Sequence, residues 1–101
     1  MSTLYVAEFF SIGGTGNFPV SGALQPPIHE QTVTIGGTST QSTAFNANTS
    51  LIRVHTDSIC SIEVGTNPTA TTSTARMAAN QTEYFSIPPG SSYKIAVITN
   101  T

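Results

Sequence analysis

Charge is scarce in this chain. Of its 101 residues only 8% are Asp, Glu, Lys or Arg, against about 25% in an ordinary soluble domain. Arg53, Arg76 and Lys94 are the only basic residues and the net charge is −2, too little positive charge to neutralise a run of phosphates, so nucleic acid is not an expected partner. Cys60 is the single cysteine, which excludes an intrachain disulfide. Its setting in SICSIEV is that of a small core residue rather than a reactive thiol. Tryptophan is missing altogether. No apolar run approaches the ~18 residues of a membrane-crossing helix, and MSTLYVAEFF lacks the basic start and apolar stretch of a secretion signal. A soluble, unexported chain with no membrane partner is the expectation. The two glycosylation triplets, at Asn48 and Asn80, are discounted for the same reason.

What is abundant is uncharged polarity. Thr, Ser, Asn and Gln account for 39 residues, while apolar residues make up 38%. The apolar residues recur in short regular runs, which disordered chains lack. The length allows one domain, residues 1–101, which hides roughly 60 to 70% of its unfolded surface on folding and leaves little room for a large buried active-site cavity. Missing charge on a folded chain is explained if much of the surface meets protein, because charge is depleted from the cores of interfaces.

The runs alternate with the period of strands. Leu4, Val6 and Phe10 alternate with Tyr5, Ala7 and Phe9, so both faces of the first strand are apolar, as in a strand covered on two sides. From Ser11 to Glu30 the pattern stops, with four glycines and three prolines among scattered apolar residues. A segment this long without regular structure tends to be functional, and residues 11–30 read either as an extended arm lying on another surface or as a loop folded over their own domain. Strands are expected again over 31–35, 44–47, 51–56 and 60–64, with Asp57-Ser58 as a turn. Residues 65–80 read as a second long connection, with a helical turn around Met77. The chain closes with strand patterns on either side of Pro88-Pro89-Gly90, read as a hairpin whose turn sets the register. Six or seven short strands and no helix of ordinary length predict an all-β fold. The expected form is a small antiparallel β-sandwich, jelly-roll or immunoglobulin-like, with a small barrel as the second choice.

No motif carries catalysis. His55, Asp57, Ser58 and Cys60 crowd together in HTDSICS, but a nucleophile, base and orienting acid are normally brought into line from different elements. His29 and His55 lie in unrelated contexts, which argues against a metal site. Glu8, Glu30, Glu63 and Glu83 are scattered, whereas a glycosidase needs two carboxylates across a cleft. The glycines of SIGGTGNF lack the Lys-Ser/Thr ending of a phosphate loop. A non-enzyme without cofactor, metal or small-molecule substrate is expected. Sugar binding stays open, since Tyr5, Tyr84 and Tyr93 could stack on sugar faces, although Trp, the best stacking surface, is missing.

RVHTDSICSIEVGTNPTAT and ARMAANQTEYFSIPPGSSYKIAVI together resemble a group of small proteins encoded by tailed bacteriophages and prophages among their virion structural genes. The likeness runs from about Tyr5 through most of the chain and consists of turn and core residues. It implies a virion component assembled in the bacterial host cytoplasm, most plausibly a capsid decoration or cement protein, with a tail or head-completion protein as the alternative. It also implies a homo-oligomer, commonly a trimer, whose partner is the major capsid protein. Candidate contact residues are Tyr5 and Phe9 on the first strand, Ile12, Phe18, Val20, Leu24 and Ile28 on the arm, and Arg76 and Met77 in the second connection.

Overall fold

The computed structural model describes residues 2–10, 12–15, 18–23 and 26–101, the backbone alone within 12–23. Ten strands are present among them: β1 (Ser2–Phe9), β2 (Ile12–Thr15), β3 (Phe18–Ala23), β4 (His29–Ile35), β5 (Thr40–Gln41), β6 (Leu51–Thr56), β7 (Cys60–Gly65), β8 (Ala75–Met77), β9 (Thr82–Ser86) and β10 (Lys94–Thr99). The protein is all-β, as the alternation predicts. Two antiparallel sheets have four strands each, in the orders β4-β1-β6-β9 and β5-β10-β7-β8.

Strand pairing is nested. Strand β7 pairs with β8, β6 with β9, and β5 with β10, so successive pairs enclose one another along the chain. The next strand outward, β4, takes its partner from the front of the chain, β1. Strand β1 then lies beside β6, and β10 beside β7, closing each sheet. Thr99 N donates to the Gly36 carbonyl at 2.9 Å while Ser2 pairs with Ile35, so the two ends of the chain lie side by side.

Inward positions fill the space between the sheets. Leu4 and Val6 of β1, Val33 and Ile35 of β4, and Ile52 and Val54 of β6 face Cys60 and Ile62 of β7 and Ile95 and Val97 of β10, with Phe45 and Ile87 from the connections. Each such side chain contributes about 1.5–3 kcal/mol on burial, and the set makes one continuous core.

Four expectations change on contact with the structure. The segment from 11 to 30 is not without structure: β2 and β3 form an antiparallel ribbon, with a register shift between Ile12 and Gly14, and β4 begins as early as His29. Residues 44–47 are not a strand. Phe45 is buried there, but the strand is Thr40–Gln41, inside the polar stretch before it. Met77 does not sit on a helical turn, because Ala75–Met77 is an edge strand whose Met77 lies opposite Cys60 with 2% of its surface exposed. Burial against β7 outweighs the weak helical preference of the short stretch around it.

The fourth concerns the closing hairpin. Pro88-Pro89-Gly90 is a turn, with Ser91 N bonded to the Pro88 carbonyl at 3.3 Å and Gly90 at φ +74°. Proline second and a positive-φ glycine third are the residues a type II turn requires. Strands β9 and β10 nevertheless belong to different sheets. Ile87, just before the turn, is buried in the core, so the connection crosses between the sheets and does not fold one strand back on the other.

The outer faces of the two sheets differ. Over the second sheet the connection 66–74 is tied down by its neighbours. Ala70 N donates to Ser39 Oγ at 2.9 Å, Gln41 Nε2 donates to the Pro68 carbonyl at 2.7 Å, and Asn100 Nδ2 bridges Ser61 Oγ and the Thr72 carbonyl. Ser61 and Ala96, on the outward parity of β7 and β10, are fully buried as a result. Over the first sheet, Tyr5 of β1, Glu30, Thr32 and Thr34 of β4, and Tyr84 and Ser86 of β9 are exposed on the outward parity.

Candidate functional site

Register places two rows of side chains across the open face. In one, Tyr5 stands between Thr32 and His55, with Thr82 beyond. In the next, Ala7 stands between Glu30 and Arg53, with Tyr84 beyond. Outward alternation on neighbouring strands is what brings these residues to one surface. Because Ala7 is small and its neighbours are large, the face is hollowed there, and a cavity of about 490 Å³ opens between Tyr5, Glu30, Thr32, Arg53 and His55.

His55 is held in place. Its Nδ1 hydrogen-bonds Thr82 Oγ1 at 2.8 Å, and its ring lies 6.3 Å from that of Tyr5, tilted by 45°. Arg53 and Glu30 make no hydrogen bond or ion pair with other side chains among the described residues. Strand spacing puts their backbones about 10 Å apart, one on each side of Ala7. Tyr5 and Tyr84 are 45% and 54% exposed.

A second cluster lies beneath the root of the ribbon. Glu8 is fully buried, on the same parity as Leu4 and Val6. Its Oε1 accepts from Asn46 N at 2.7 Å and Thr49 Oγ1 at 2.8 Å, and its Oε2 accepts from His29 Nδ1 at 2.7 Å. A buried carboxylate is tolerable only when its oxygens are satisfied in this way. The cluster fastens segment 46–49 to β1 and β4, and the Glu8 carbonyl accepts from Ile28 N where the chain leaves the ribbon. In the sequence Glu8 is one of four scattered acids, and its parity with Leu4 and Val6 is the signal of its burial.

The residues of HTDSICS are not brought together. His55 points to the outer face, Asp57 is exposed on the bend, and Cys60 is in the core, where burial pushes its thiol up from the ordinary value. His29 is engaged with Glu8, and no group of three or more metal-ligating side chains occurs among the described residues.

No protein-family model, curated protein or solved structure matches the chain. The contact candidates must therefore be weighed by position alone. Tyr5 is on the open face, Ile28 is exposed where the chain leaves the ribbon, and Phe10 is 58% exposed where it enters. Arg76 is exposed, with its Nε donating to the Thr101 carbonyl at 3.4 Å. Phe9 and Met77 are buried within the chain itself, which removes both side chains from any contact surface. Ile12, Phe18 and Val20 lie on β2 and β3, their side chains outside the described residues, and Leu24 lies outside them altogether.

Proposed function

We propose that the protein is a non-enzymatic structural component of a virion, a capsid decoration or cement protein that stabilises a phage head through oligomeric contacts. The observation that carries this reading is the β2–β3 ribbon. Among the described residues its two strands pair with each other and with no strand of either sheet. An unpaired ribbon has backbone donors and acceptors free on its outer edges, and such edges pair readily with another chain. Its segment holds the scattered apolar residues and almost none of the charge. Phe10 and Ile28, on the two sides of its root in sequence, are exposed as well.

The body suits this role. Nested pairing with alternating sheets is the winding of a jelly roll, here with its last strand supplied from the front of the chain, and we infer that class for the fold. The same winding serves viral capsid and lectin domains. In this account the sheets form a rigid mount, the Glu8 cluster fixes the angle at which the ribbon leaves it, and the ribbon joins neighbouring copies and the major capsid protein. Weak contacts of this kind become strong when many copies bind one lattice. The oligomer is a trimer by the resemblance in sequence, and its place is the virion, assembled in the bacterial host cytoplasm.

Quantitative mass spectrometry of virus particles purified from the producing cells tests this. A copy number equal to that of the major capsid protein, or a simple fraction of it, is the expected result. A few copies per particle would move the protein to the neck or tail, and its absence from particles would refute the structural role.

A further inference from the structure

We propose that the open face of the first sheet is a glycan-binding site, in which the hollow over Ala7 receives one neutral pyranose ring. The inference concerns a different surface from the ribbon and does not depend on the assembly role.

The hollow has the size of a small-ligand site: about 490 Å³ against the 300–1,000 Å³ common for such pockets. Its polar groups select the ligand class. Arg53 offers only donors and Glu30, when ionised, only acceptors, and neither has a side-chain partner among the described residues. A vicinal diol is both donor and acceptor, so one sugar edge can accept from the guanidinium while a neighbouring hydroxyl donates to the carboxylate. Phosphate or a sugar acid would meet Glu30 with like charge, and an amine would meet Arg53. The opposite charges on the two sides of Ala7 therefore disfavour a ligand carrying charge of a single sign, and an uncharged, polyhydroxylated ligand satisfies both groups.

The aromatic residues supply the other half of recognition. Tyr5 lines the hollow with an exposed ring, and Tyr84, also exposed on this face, stands beyond Arg53 and outside the lining. The Tyr5 ring gives the apolar C–H face of a pyranose a surface to stack on while its hydroxyl remains wet. His55, anchored by Thr82, holds the inner wall beside Tyr5. The second sheet closes its own outer face with the 66–74 connection, so the exposure of these rings is particular to the first sheet. A second copy laid on this face would set hollow against hollow and leave a void, whereas interface cores pack as densely as protein interiors.

The test is binding of the full chain to an array of immobilised neutral, sialylated, uronic and phosphorylated glycans, followed by amide chemical-shift mapping with the neutral disaccharides maltose, lactose and cellobiose. Retention on neutral glycans is expected, with shifts at Tyr5, Ala7, Thr32 and His55. Tyr5→Ala and Arg53→Ala should each weaken binding about tenfold or more, the loss that follows from one stacking or charged hydrogen-bond contact. Tyr5→Phe should keep it. These side chains lie on the solvent face, and unchanged thermal melting of each variant separates lost binding from lost folding. Retention of acidic glycans alone, or of none, overturns the proposal, as do shifts at another surface or variants that bind like the parent. Conversion of an oligomer to a monomer by Tyr5→Ala without glycan retention would instead make this face a contact between copies, and would overturn it too.

Discussion

Replacing Glu8 by alanine removes an acceptor shared by three donors. Three donors converge on its carboxylate, from Asn46 N, Thr49 Oγ1 and His29 Nδ1, all within 2.8 Å. The His29 side chain is 48% exposed and can turn to solvent. Thr49 is fully buried, so its hydroxyl is left without a partner, whereas Asn46 is exposed and its amide can turn to water. An orphaned buried donor costs about 1–3 kcal/mol, which puts Glu8→Ala near 3 kcal/mol once the lost side-chain volume is added. For a domain of this length that is a fall in Tm of roughly 12–24 °C. Glu8→Gln retains an oxygen for Asn46 and Thr49 and changes only the contact with His29, for a cost of about 1 kcal/mol. Urea denaturation followed by circular dichroism, with Thr49→Val as a second probe, measures all three. Loss of less than about 1 kcal/mol in Glu8→Ala would refute the role of the clasp. A loss in Glu8→Gln equal to that in Glu8→Ala would refute the acceptor argument and assign the effect to the charge pair with His29.

Met77→Ala should cost about 2–5 kcal/mol by leaving a cavity under β8, and a near-zero effect in the same denaturation assay would mean that Met77 is not a core residue. Gly90→Val should cost about 2 kcal/mol from backbone strain, since Gly90 stands at φ +74° and an added Cβ meets nothing within 4 Å; an unchanged Tm would contradict the turn geometry. The Cys60 thiol should react with a disulfide reagent only as fast as the chain unfolds, and rapid labelling of the native protein would contradict its burial. Burial raises the Cys60 pKa, so above pH 9.0, the ordinary value, the unfolded chain loses a proton that the folded chain keeps. Stability therefore falls as pH rises through that region, and a Cys60→Ala variant should show a shallower decline.

Fold class was legible because two-residue periodicity survives in a chain with little else to confuse it. Leu4 and Val6, Val33 and Ile35, Ile52 and Val54, and Cys60 and Ile62 each occupy the buried parity that alternation gives them. Pairing was less legible. Pro88-Pro89-Gly90 announces that the chain turns, but turn chemistry is local and does not state which strand will lie alongside β10. The separation of β9 and β10 by residues 87–93 was a cue, since hairpin loops are commonly about 2–5 residues long. Strand β8 was hidden because Ala75–Met77 is too short to show a period, and its strand state comes from the edge of β7 that it covers. The ribbon was hidden by glycine and proline, which dilute side-chain alternation without preventing backbone pairing. The hollow on the outer face was beyond reach, because it needs Tyr5, Glu30 and Arg53 placed on neighbouring strands, and that placement is a matter of register between distant segments.

The central claim, a rigid two-sheet body that associates through its ribbon, is tested most directly by sedimentation velocity of the intact chain beside a variant lacking Ile12–Ala23. Glu8 pairs with His29 at the root of the ribbon, so residues 10–11 and 24–28 suffice to close the turn. The account predicts an oligomer for the intact chain and a folded monomer for the shortened one. An intact chain that stays monomeric at high concentration, or a shortened chain that forms the same oligomer, would contradict it.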